Sequence, residues 1–428
     1  MLDIKLVRQD PSAVKDNLKK RSDPEKLKLL DELLKVDGQW IKAQSKINDL
    51  RQQRNNVSIE ISKLKKAGKP VGAKLEEGKD TDMAIKENEK ELDELQAKER
   101  ELLLNIPNLL HESVTVGKDG SENVEMRKWG SPPKFDFKPK NHQEILESLG
   151  LLDTEKAAKT SGSGFVYMID ELALLDLAIQ KYAIDFLRKK KFTIIEPPLM
   201  INKKAYEGMI GNPFDFAEAS YKIDGEELYL VPTAEYPLGA MFVDHVFNEN
   251  ELPLKLCGVS AAFRKEVGAH GKYTKGLFRM HQFNKIEQFV FCTPEESWKV
   301  LEELQKNSEE MYQGLGLYYR VLALCSGDTG AKSAKTYDTE FWMADGQFRE
   351  IGSNSNCTDY QARRLSIKYR EGDGKPIKGL AHTLNNTALA TSRTIIAIVE
   401  QLQQKDGSVL IPKVLQRHMD GIDRLEAK

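Results

Sequence analysis

The feature that most restricts how this sequence can fold is a hydrophobic heptad pattern in its first hundred residues. From Leu29 to Leu64, apolar residues recur at alternating spacings of four and three, and only Arg54 interrupts them. A second pattern of the same kind extends from Ile85 to Leu109. Such a repeat is typical of helices that pack against each other in a coiled coil.

A short segment rich in glycine and proline, residues 67–72, separates the two patterns. We therefore predict helices over about residues 27–66 and 75–105, folded back on each other as an antiparallel hairpin. At 1.5 Å per residue the first helix would be roughly 60 Å long. A hairpin of that length is too long to pack against a globular domain throughout, so we expect it to project as an arm.

The two predicted helices differ in charge. Residues 26–66 contain ten Lys and Arg against five Asp and Glu, whereas residues 75–105 contain five against eleven. One interpretation is that the facing helices pair opposite charges. The other is that the basic helix also binds the phosphates of a polyanion. Charge alone leaves both open.

Over the whole chain of 428 residues the charges nearly cancel, with 64 basic and 66 acidic residues. This balance excludes a generally basic nucleic-acid binder but allows a basic face on one element. We found no apolar run of about 18 residues and no signal-like N-terminus, and so expect a cytoplasmic protein without a membrane span. The four cysteines are far apart, which argues against a zinc site or a disulfide framework.

We predict an N-terminal domain over residues 1–110, a linker over 111–140 that contains three prolines, and a second domain over 141–428. In the second domain a long helix is predicted from Asp170 to Lys190. Several strand-like runs then follow each other without intervening helices. This order favours an α+β fold built on an antiparallel sheet. The predicted strands are 192–195, 228–231, 254–257, 285–291, 318–324, 339–343 and 346–351.

The segment from Phe263 to Glu287 is predicted to be a hairpin with a glycine-rich basic loop. Arg264 and Arg279 would converge there on phosphate oxygens, because the planar guanidinium group stays charged and binds them in a forked geometry. Phe283 would stack on a base. The alternative is an ordinary hairpin with exposed arginines and a core phenylalanine. The chain contains no P-loop motif and no dinucleotide-binding glycine motif.

Two further segments carry candidate site residues. A strand that ends at Glu350 and continues into Gly352 and Ser353 offers carboxylate and hydroxyl oxygens to a cation such as Mg²⁺, or it is simply a strand that enters a turn. A strand from His382 runs into an apolar helix with Arg393 near its start. An arginine in that position needs an anionic partner, either a bound triphosphate or a protein carboxylate.

In this order the segments resemble the three signature motifs of class II aminoacyl-tRNA synthetases. The helix and strand that end at Pro198 resemble the first, residues 264–287 the second, and residues 382–393 the third. Together with the predicted arm, short stretches over essentially the whole chain are similar to the seryl-tRNA synthetase family. These are Met1–Ile4, Thr233–Glu235, Phe263–Glu266, Arg279–Phe283 and His382–Asn385.

The resemblance implies an enzyme that activates L-serine with ATP and transfers it to tRNA(Ser), and it leaves open whether tRNA(Sec) is also charged. It implies a homodimer, and Mg²⁺ bound with ATP by Glu350 and Ser353, without zinc. Arg264 and Arg393 are the implied catalytic residues. The implied ATP-binding residues are Arg264, Lys265, Glu266, Arg279, Met280, Phe283, Glu350, Ile351, Gly352, Ser353 and Arg393. The implied serine-binding residues are Thr233, Ala234, Glu235, Arg264, Glu287, Asn385 and Thr387.

The sequence departs from the family pattern at residues 269–274 of the second motif and at Asn386–Ala388 of the third. Three other functions remain as alternatives. They are a related ligase that loads an amino acid onto a carrier protein, a non-catalytic coiled-coil scaffold, and a class II synthetase for another amino acid such as proline or glycine.

Overall fold

The computed structural model describes residues 1–211, 220–266 and 276–427. The chain divides into two units. One comprises Leu2–Lys19 and Asp23–Ile106, and the other comprises Met1, Lys20–Ser22 and Pro107–Lys428. Within the described ranges, no helix has both the length and the apolar character needed to cross a bilayer.

The N-terminal unit consists of helices α1 (Ile4–Gln9), α2 (Pro11–Lys19), α3 (Pro24–Lys66) and α4 (Gly72–Asn105). The last two lie where the heptad patterns predicted them, but each begins three residues earlier. For α3 the reason is a start signal, since the Asp23 side chain accepts a hydrogen bond from Glu25 N and a proline occupies the first turn. The helix ends before Gly68, whose φ of +65° suits glycine.

Helices α3 and α4 pack side by side in antiparallel orientation. Four ion pairs join them, and as the residue number rises on α3 it falls on α4: Glu32–Lys98, Arg51–Glu89, Arg54–Asp82 and Glu60–Lys74. Between the helices, positions of the predicted seam such as Leu33, Val36, Ile47 and Ile85 are buried. The pairing of opposite charges proposed from the sequence is therefore present, although exposed pairs of this kind contribute only about 0–1 kcal/mol each.

The C-terminal unit alternates short helices with strands. Its helices are α5 (His142–Ser148), α6 (Thr154–Ser161), α7 (Glu171–Lys189), α8 (Lys203–Met209), α9 (Glu235–Ala240), α10 (Ser297–Leu315), α11 (Tyr360–Leu365), α12 (Thr391–Gln401) and α13 (Lys413–Gln416). Gly120–Glu122 and Glu249–Glu251 form single 3₁₀ turns.

The strands of this unit are β1 (Val124–Trp129), β2 (Leu152–Asp153), β3 (Tyr167–Met168), β4 (Thr193–Ile195), β5 (Met200–Asn202), β6 (Leu228–Leu230), β7 (Val246–Asn248), β8 (Leu254–Phe263), β9 (Gln282–Cys292), β10 (Tyr319–Ala323), β11 (Lys335–Trp342), β12 (Phe348–Asn356), β13 (Lys368–Arg370), β14 (Ile377–Leu380), β15 (His382–Ala390), β16 (Val409–Leu410) and β17 (Arg424–Leu425).

In the described part of the chain, eight strands form the main sheet in the order β1-β10-β11-β12-β15-β9-β8-β4. Every neighbouring pair in it is antiparallel except β4 and β8. Smaller sheets contain β14-β13-β7, β16-β17, β2-β3 and β5-β6. The predicted α+β class with an antiparallel-dominated sheet is confirmed.

Side chains alternate between the two faces of this sheet and build two cores. On β9, for example, Ile286 and Val290 pack with α7, α10 and α12, whereas Phe289 and Phe291 pack on the other face with α8, α9 and α11. The second face therefore carries a core at one end of β9, and Lys285 and Glu287 occupy its other end.

The structure differs from the sequence prediction in two places that matter for the site. Val124–Trp129, placed in a linker, pairs with β10 as the edge strand of the main sheet. The strand predicted to end near Glu350 continues to Asn356, so Gly352 and Ser353 lie within β12 and not in a turn. Turn-forming residues misled the prediction because strand pairing on both sides of β12 overrides their local preference.

Candidate active site

A cavity of about 770 Å³ opens on the second face of the main sheet. Strands β9, β11, β12 and β15 form its floor, and the segments around Thr233, Arg264 and Lys332 form its walls. A smaller cavity of about 40 Å³ adjoins it. The residues that line both are Arg264, Glu266, Lys285, Glu350 and Thr387.

Strand alternation explains which side chains reach the floor. Ser353 and Ser355 on β12 and Asn385 and Thr387 on β15 line the large cavity. Residues between them point to the opposite face, where the Asn386 amide donates to Leu304 O of α10 at 2.7 Å. Asn386, one of the positions where the sequence departs from the family pattern, therefore points towards α10 and away from the cavity.

A β-bulge brings Glu350 to the cavity face. Gly352 pairs with Thr339 and Glu350 pairs with Glu340, so Ile351 is an extra residue on β12. Because directly opposed residues share a face, this insertion puts Glu350 on the same side as Ser353. Glu350 and Ser353 therefore point to the same side of β12, and a bulge within the strand, not a turn, brings them together.

Two arginines of the second motif, Arg264 and Arg279, line the large cavity. The Arg264 Nε donates to Pro232 O at 3.3 Å, and its guanidinium lies 5.2 Å from the centre of the Phe283 ring. Arg279 Nη1 lies 3.5 Å from Glu266 Oε2. Lys265 also lines the cavity, with its ammonium 5.9 Å from the centre of the Tyr221 ring. The hairpin thus presents three cations to one space.

Arg393 lies in the first turn of α12 and lines the small cavity. Its Nη1 donates to Glu350 O at 2.7 Å and lies 3.5 Å from Glu350 Oε2, and its guanidinium is 4.9 Å from the Phe278 ring centre. Of the two partners considered for Arg393, the structure contains the protein carboxylate. Met280, Phe283 and Ile351 line the same small cavity.

A second carboxylate lies beside Glu350. Asp338 on β11 accepts a hydrogen bond from the Ser353 hydroxyl, and all three residues line the large cavity. Burial, together with the negative charge of Glu350, raises the pKa of Asp338 well above its usual value. Sequence reasoning missed Asp338 because the predicted strand began one residue after it.

Gly352 of β12 lies close to Thr387 of β15. A Cβ at this position would lie 2.9 Å from the Thr387 Cβ. The glycine thus allows Thr387 to lie close to the Glu350–Ser353 pair, and Gly352 itself lines neither cavity.

The predicted serine-binding residues fall into two groups. Thr233, Glu235, Asn385 and Thr387 line the large cavity, as Arg264 does. Ala234 and Glu287 are fully buried and do not reach its surface, and Ala234 packs closely against Gly258 of β8.

Glu287 is buried beside Lys285, a residue that does line the cavity. Its carboxylate is 2.6 Å from Lys285 Nζ, which in turn donates to Thr233 Oγ1 at 3.1 Å. Burial raises the pKa of Glu287. Lys285 lines both cavities and lies in the predicted hairpin, but it was not among the predicted site residues.

Other residues of the cavity wall were also missed. Lys332 forms an ion pair with Glu235, and Asp328 accepts from the Asn123 amide at 2.7 Å. Both lie in a loop before β11 that carries no recognisable motif. Residues 269–274, where the sequence departs from the family pattern of the second motif, lie outside the described residues.

Comparisons with known proteins agree with this geometry. Residues 1–110 match the family model for the seryl-tRNA synthetase N-terminal domain, and residues 218–402 match that for the class II tRNA synthetase core domain for G, H, P, S and T. A serine–tRNA ligase of Methanocella arvoryzae is 49% identical over 426 residues, which cover 99% of this chain and 100% of the relative.

Solved structures give the same result. The crystal structure of seryl-tRNA synthetase from Pyrococcus horikoshii complexed with ATP matches with a TM-score of 0.96 and 44% identity over 100% of both chains. A cytoplasmic serine–tRNA ligase from Naegleria fowleri in complex with AMP matches with a TM-score of 0.88 and 37% identity, over 100% of this chain and 99% of the other. The family predicted from the motifs is thus confirmed, and the chain belongs to the seryl-tRNA synthetase family of class II aminoacyl-tRNA synthetases.

Proposed function

We propose that this chain activates L-serine with ATP to form seryl-adenylate and then transfers the seryl group to the 3′ end of tRNA(Ser). The proposal rests mainly on one observation: charged residues from distant parts of the chain line the same two adjoining cavities. Arg264, Glu266 and Glu350 line both cavities, Arg279 lines the large one, and Arg393 lines the small one. The high identity to serine–tRNA ligases along the whole chain supports serine as the amino acid.

In the first step a carboxylate oxygen of serine attacks the α-phosphorus of ATP. A new P–O bond forms, the bond to the β-phosphate oxygen breaks, and pyrophosphate leaves. Two anions must approach each other, so the main task of the protein is to supply fixed positive charge. Arg264, Arg279 and Arg393 supply it at the cavity walls. No protein base is required, because the attacking carboxylate is already ionised.

In the second step the terminal ribose hydroxyl of the tRNA attacks the activated carbonyl, and AMP leaves. The task of the protein here is to hold the two reactants in line, which can lower a barrier by about 7–11 kcal/mol. We assign Thr233, Asn385 and Thr387 to the serine end of the cavity. Phe283, Met280 and Ile351 form the adenine end, in the small cavity that also contains Arg393.

Glu350 and Ser353 are proposed to hold Mg²⁺ together with ATP. The donors present are hard oxygens, and burial together with the nearby charge of Glu350 raises the pKa of Asp338; a bound cation would oppose both effects. The described residues contain no cluster of three or more His, Cys, Asp or Glu arranged to hold a metal. That fits Mg²⁺, which usually takes only one or two protein carboxylates plus substrate phosphates. Bound there, the ion would neutralise phosphate charge.

The N-terminal domain, residues 1–110, is proposed to bind the tRNA through the basic side of its hairpin. Lys42 and Lys46 of α3 are exposed and form no ion pair with any described residue. They are therefore free to contact phosphates, unlike Arg51 and Arg54, which face α4. Whether tRNA(Sec) is also a substrate depends on the same surface.

We also propose a cytoplasmic homodimer. Leu174 and Leu177 on α7 are 39% and 60% exposed, and Ile194 on the neighbouring edge strand β4 is 36% exposed. These side chains belong to the segment that resembles the first class II motif. An apolar surface of this kind is typical of a subunit interface. Analytical sedimentation of the full chain distinguishes a dimer from a monomer.

The test is ATP–pyrophosphate exchange with a panel of amino acids, followed by tRNA charging. The proposal expects exchange with serine, and it expects Arg264→Ala to abolish this exchange while the exposed Arg188→Ala does not. Exchange with another amino acid alone would indicate a different class II enzyme. Serine exchange without tRNA charging would indicate a carrier-protein ligase, and no exchange at all would indicate a scaffold.

A further inference from the structure

A lysine from the loop before β11 lies in the wall of the large cavity next to the proposed serine site. Lys332 Nζ forms an ion pair with Glu235 Oε1 and lies 5.8 Å from the centre of the Tyr236 ring. The side chain of Glu235 is 4% exposed and that of Lys332 is 21% exposed. A largely buried ion pair of this kind requires an explanation, because burying two charges is costly unless their geometry is good.

The carboxylate of Glu235 is held from two sides. Its Oε1 accepts from Lys332 and also from the Gln361 amide of α11 at 2.8 Å. Gln361 is fixed in turn, since its own carbonyl accepts from Thr383 Oγ1 at 2.7 Å and its amide also donates to Met209 O. One oxygen of Glu235 therefore has two donors that belong to different elements.

Lys332 remains a cation in this position. Burial by itself would lower the pKa of its ammonium, but the charge of Glu235 opposes this and the pKa is raised overall. Of the two acidic residues that the family resemblance implies for serine binding, Glu235 lines the cavity, whereas Glu287 is buried and does not line it. The α-ammonium of an amino acid needs a carboxylate within reach.

We infer that Lys332 is a positioning residue for amino-acid binding: it fixes Oε1 of Glu235 and so leaves the other carboxylate oxygen to accept from the α-ammonium of serine. This inference rests on the proposed function. Lys332 would act through Glu235 without touching the substrate. The ammonium is bound in the ground state and in the transition state alike, so its loss should raise the KM for serine and leave kcat largely unchanged.

The test compares Lys332→Met, which keeps most of the side-chain length but removes the charged ammonium, with the same substitution at a matched lysine. Lys335 lies three residues further on, donates to Ser113 Oγ at 2.9 Å and lies 5.1 Å from the Tyr337 ring centre, but does not line the cavity. In serine-dependent exchange, K332M should raise the KM for serine about 10- to 100-fold, as expected for a lost hydrogen bond to a charged group. The KM for ATP should not change, and K335M should match the wild type. The loss of one contact to a charged group should change the KM about tenfold or more. A serine KM for K332M within about twofold of the wild-type value would therefore overturn the inference.

A double-mutant cycle separates the proposed route from a direct contact. If Lys332 acts through Glu235, the pair E235Q/K332M should have the same serine KM as E235Q alone. If the two effects multiply, Lys332 contacts the substrate independently and the inference is wrong. Where K332M alone does not fold, this comparison still decides, because the double variant buries no unpaired charge. Absence of serine exchange in the wild type would overturn the proposed function itself. Normal wild-type exchange, combined with effects of the two substitutions that multiply, would overturn only the role of Lys332.

Discussion

Replacing Gly352 by alanine tests how closely the floor of the active-site cavity is packed. A Cβ at this position would lie 2.9 Å from Thr387 Cβ, 3.3 Å from Thr387 Cγ2 and 3.3 Å from Thr387 O. An ordinary contact begins at about 3.4 Å, so β12 and β15 must separate by about half an ångström or more to admit one methyl group.

Thr387 has little freedom to yield. Its β-branched side chain is stiff at χ1, and its carbonyl accepts from Ser308 Oγ at 3.3 Å and Tyr312 OH at 3.4 Å. We therefore expect Gly352→Ala to lower the free energy of unfolding by about 1–3 kcal/mol, the usual cost of overpacking. Because Thr387 and the neighbouring Ser353 line the cavity, the same shift should reduce kcat/KM for serine-dependent exchange by about 10- to 100-fold.

Urea unfolding and ATP–pyrophosphate exchange measure the two effects. Gly372→Ala is the matched control, since a Cβ there meets nothing within 4 Å and the residue has no positive φ. If G352A and G372A have the same unfolding free energy and the same exchange rate, the strands adapt without cost and the argument for a rigid floor is wrong.

Three further predictions concern other parts of the molecule. Arg264→Ala should reduce kcat/KM for exchange by at least about 100-fold without lowering the free energy of unfolding, since it removes charge at the phosphate site. Reversing Lys42 and Lys46 to Glu should raise the KM for tRNA and weaken its salt dependence, whereas Lys86→Glu on α4 should not, and exchange should be normal in both. Burial lowers the pKa of His382 below its ordinary 6.5, so the folded state binds this proton less readily than the unfolded state and loses stability as pH falls below 6.5. His382→Gln should remove that part of the acid-induced fall in unfolding free energy, measured by urea titration above and below pH 6.5.

The sequence predicted those features that depend on periodicity or on short motifs. The coiled-coil helices follow from a repeat that places Leu33, Val36 and Ile47 on one face, and no tertiary contact is needed to see it. Arg264 and Arg393 were found because the family motifs surround them. In both cases the signal lies within a few neighbouring residues.

The residues that were missed depend on contacts between distant parts of the chain. Asp338 is part of the site because β11 pairs with β12 and aligns it with Ser353, 15 residues later. Lys332 reaches Glu235 across 97 residues. The bulge at Ile351 that turns Glu350 towards the cavity is likewise a product of strand pairing, and local composition predicted a turn there. No pattern along the chain contains this information.

Charge pairs divide the candidate site into two ends. The pairs in or behind its walls are Arg279–Glu266, Arg393–Glu350, Lys285–Glu287 and Lys332–Glu235. At the nucleotide end the first two have N–O distances of 3.5 Å and at least one side chain that is more than a third exposed. At the serine end the other two are in closer contact, and both of their carboxylates are at most 4% exposed.

This difference has a functional consequence. Long, partly exposed ion pairs contribute little, about 1 kcal/mol or less, so in the proposed function the phosphates of ATP would compete with Glu266 for Arg279 and with the Glu350 carboxylate for Arg393 at little cost. Breaking a buried pair costs several times more, about 3–5 kcal/mol. If these residues have the roles proposed above, the serine end would be set before the substrate arrives, and the nucleotide end would rearrange around its ligand. Under the proposed roles, discrimination among amino acids would depend on the more rigid serine end of the cavity, because a substrate that leaves a buried polar group unpaired is strongly rejected.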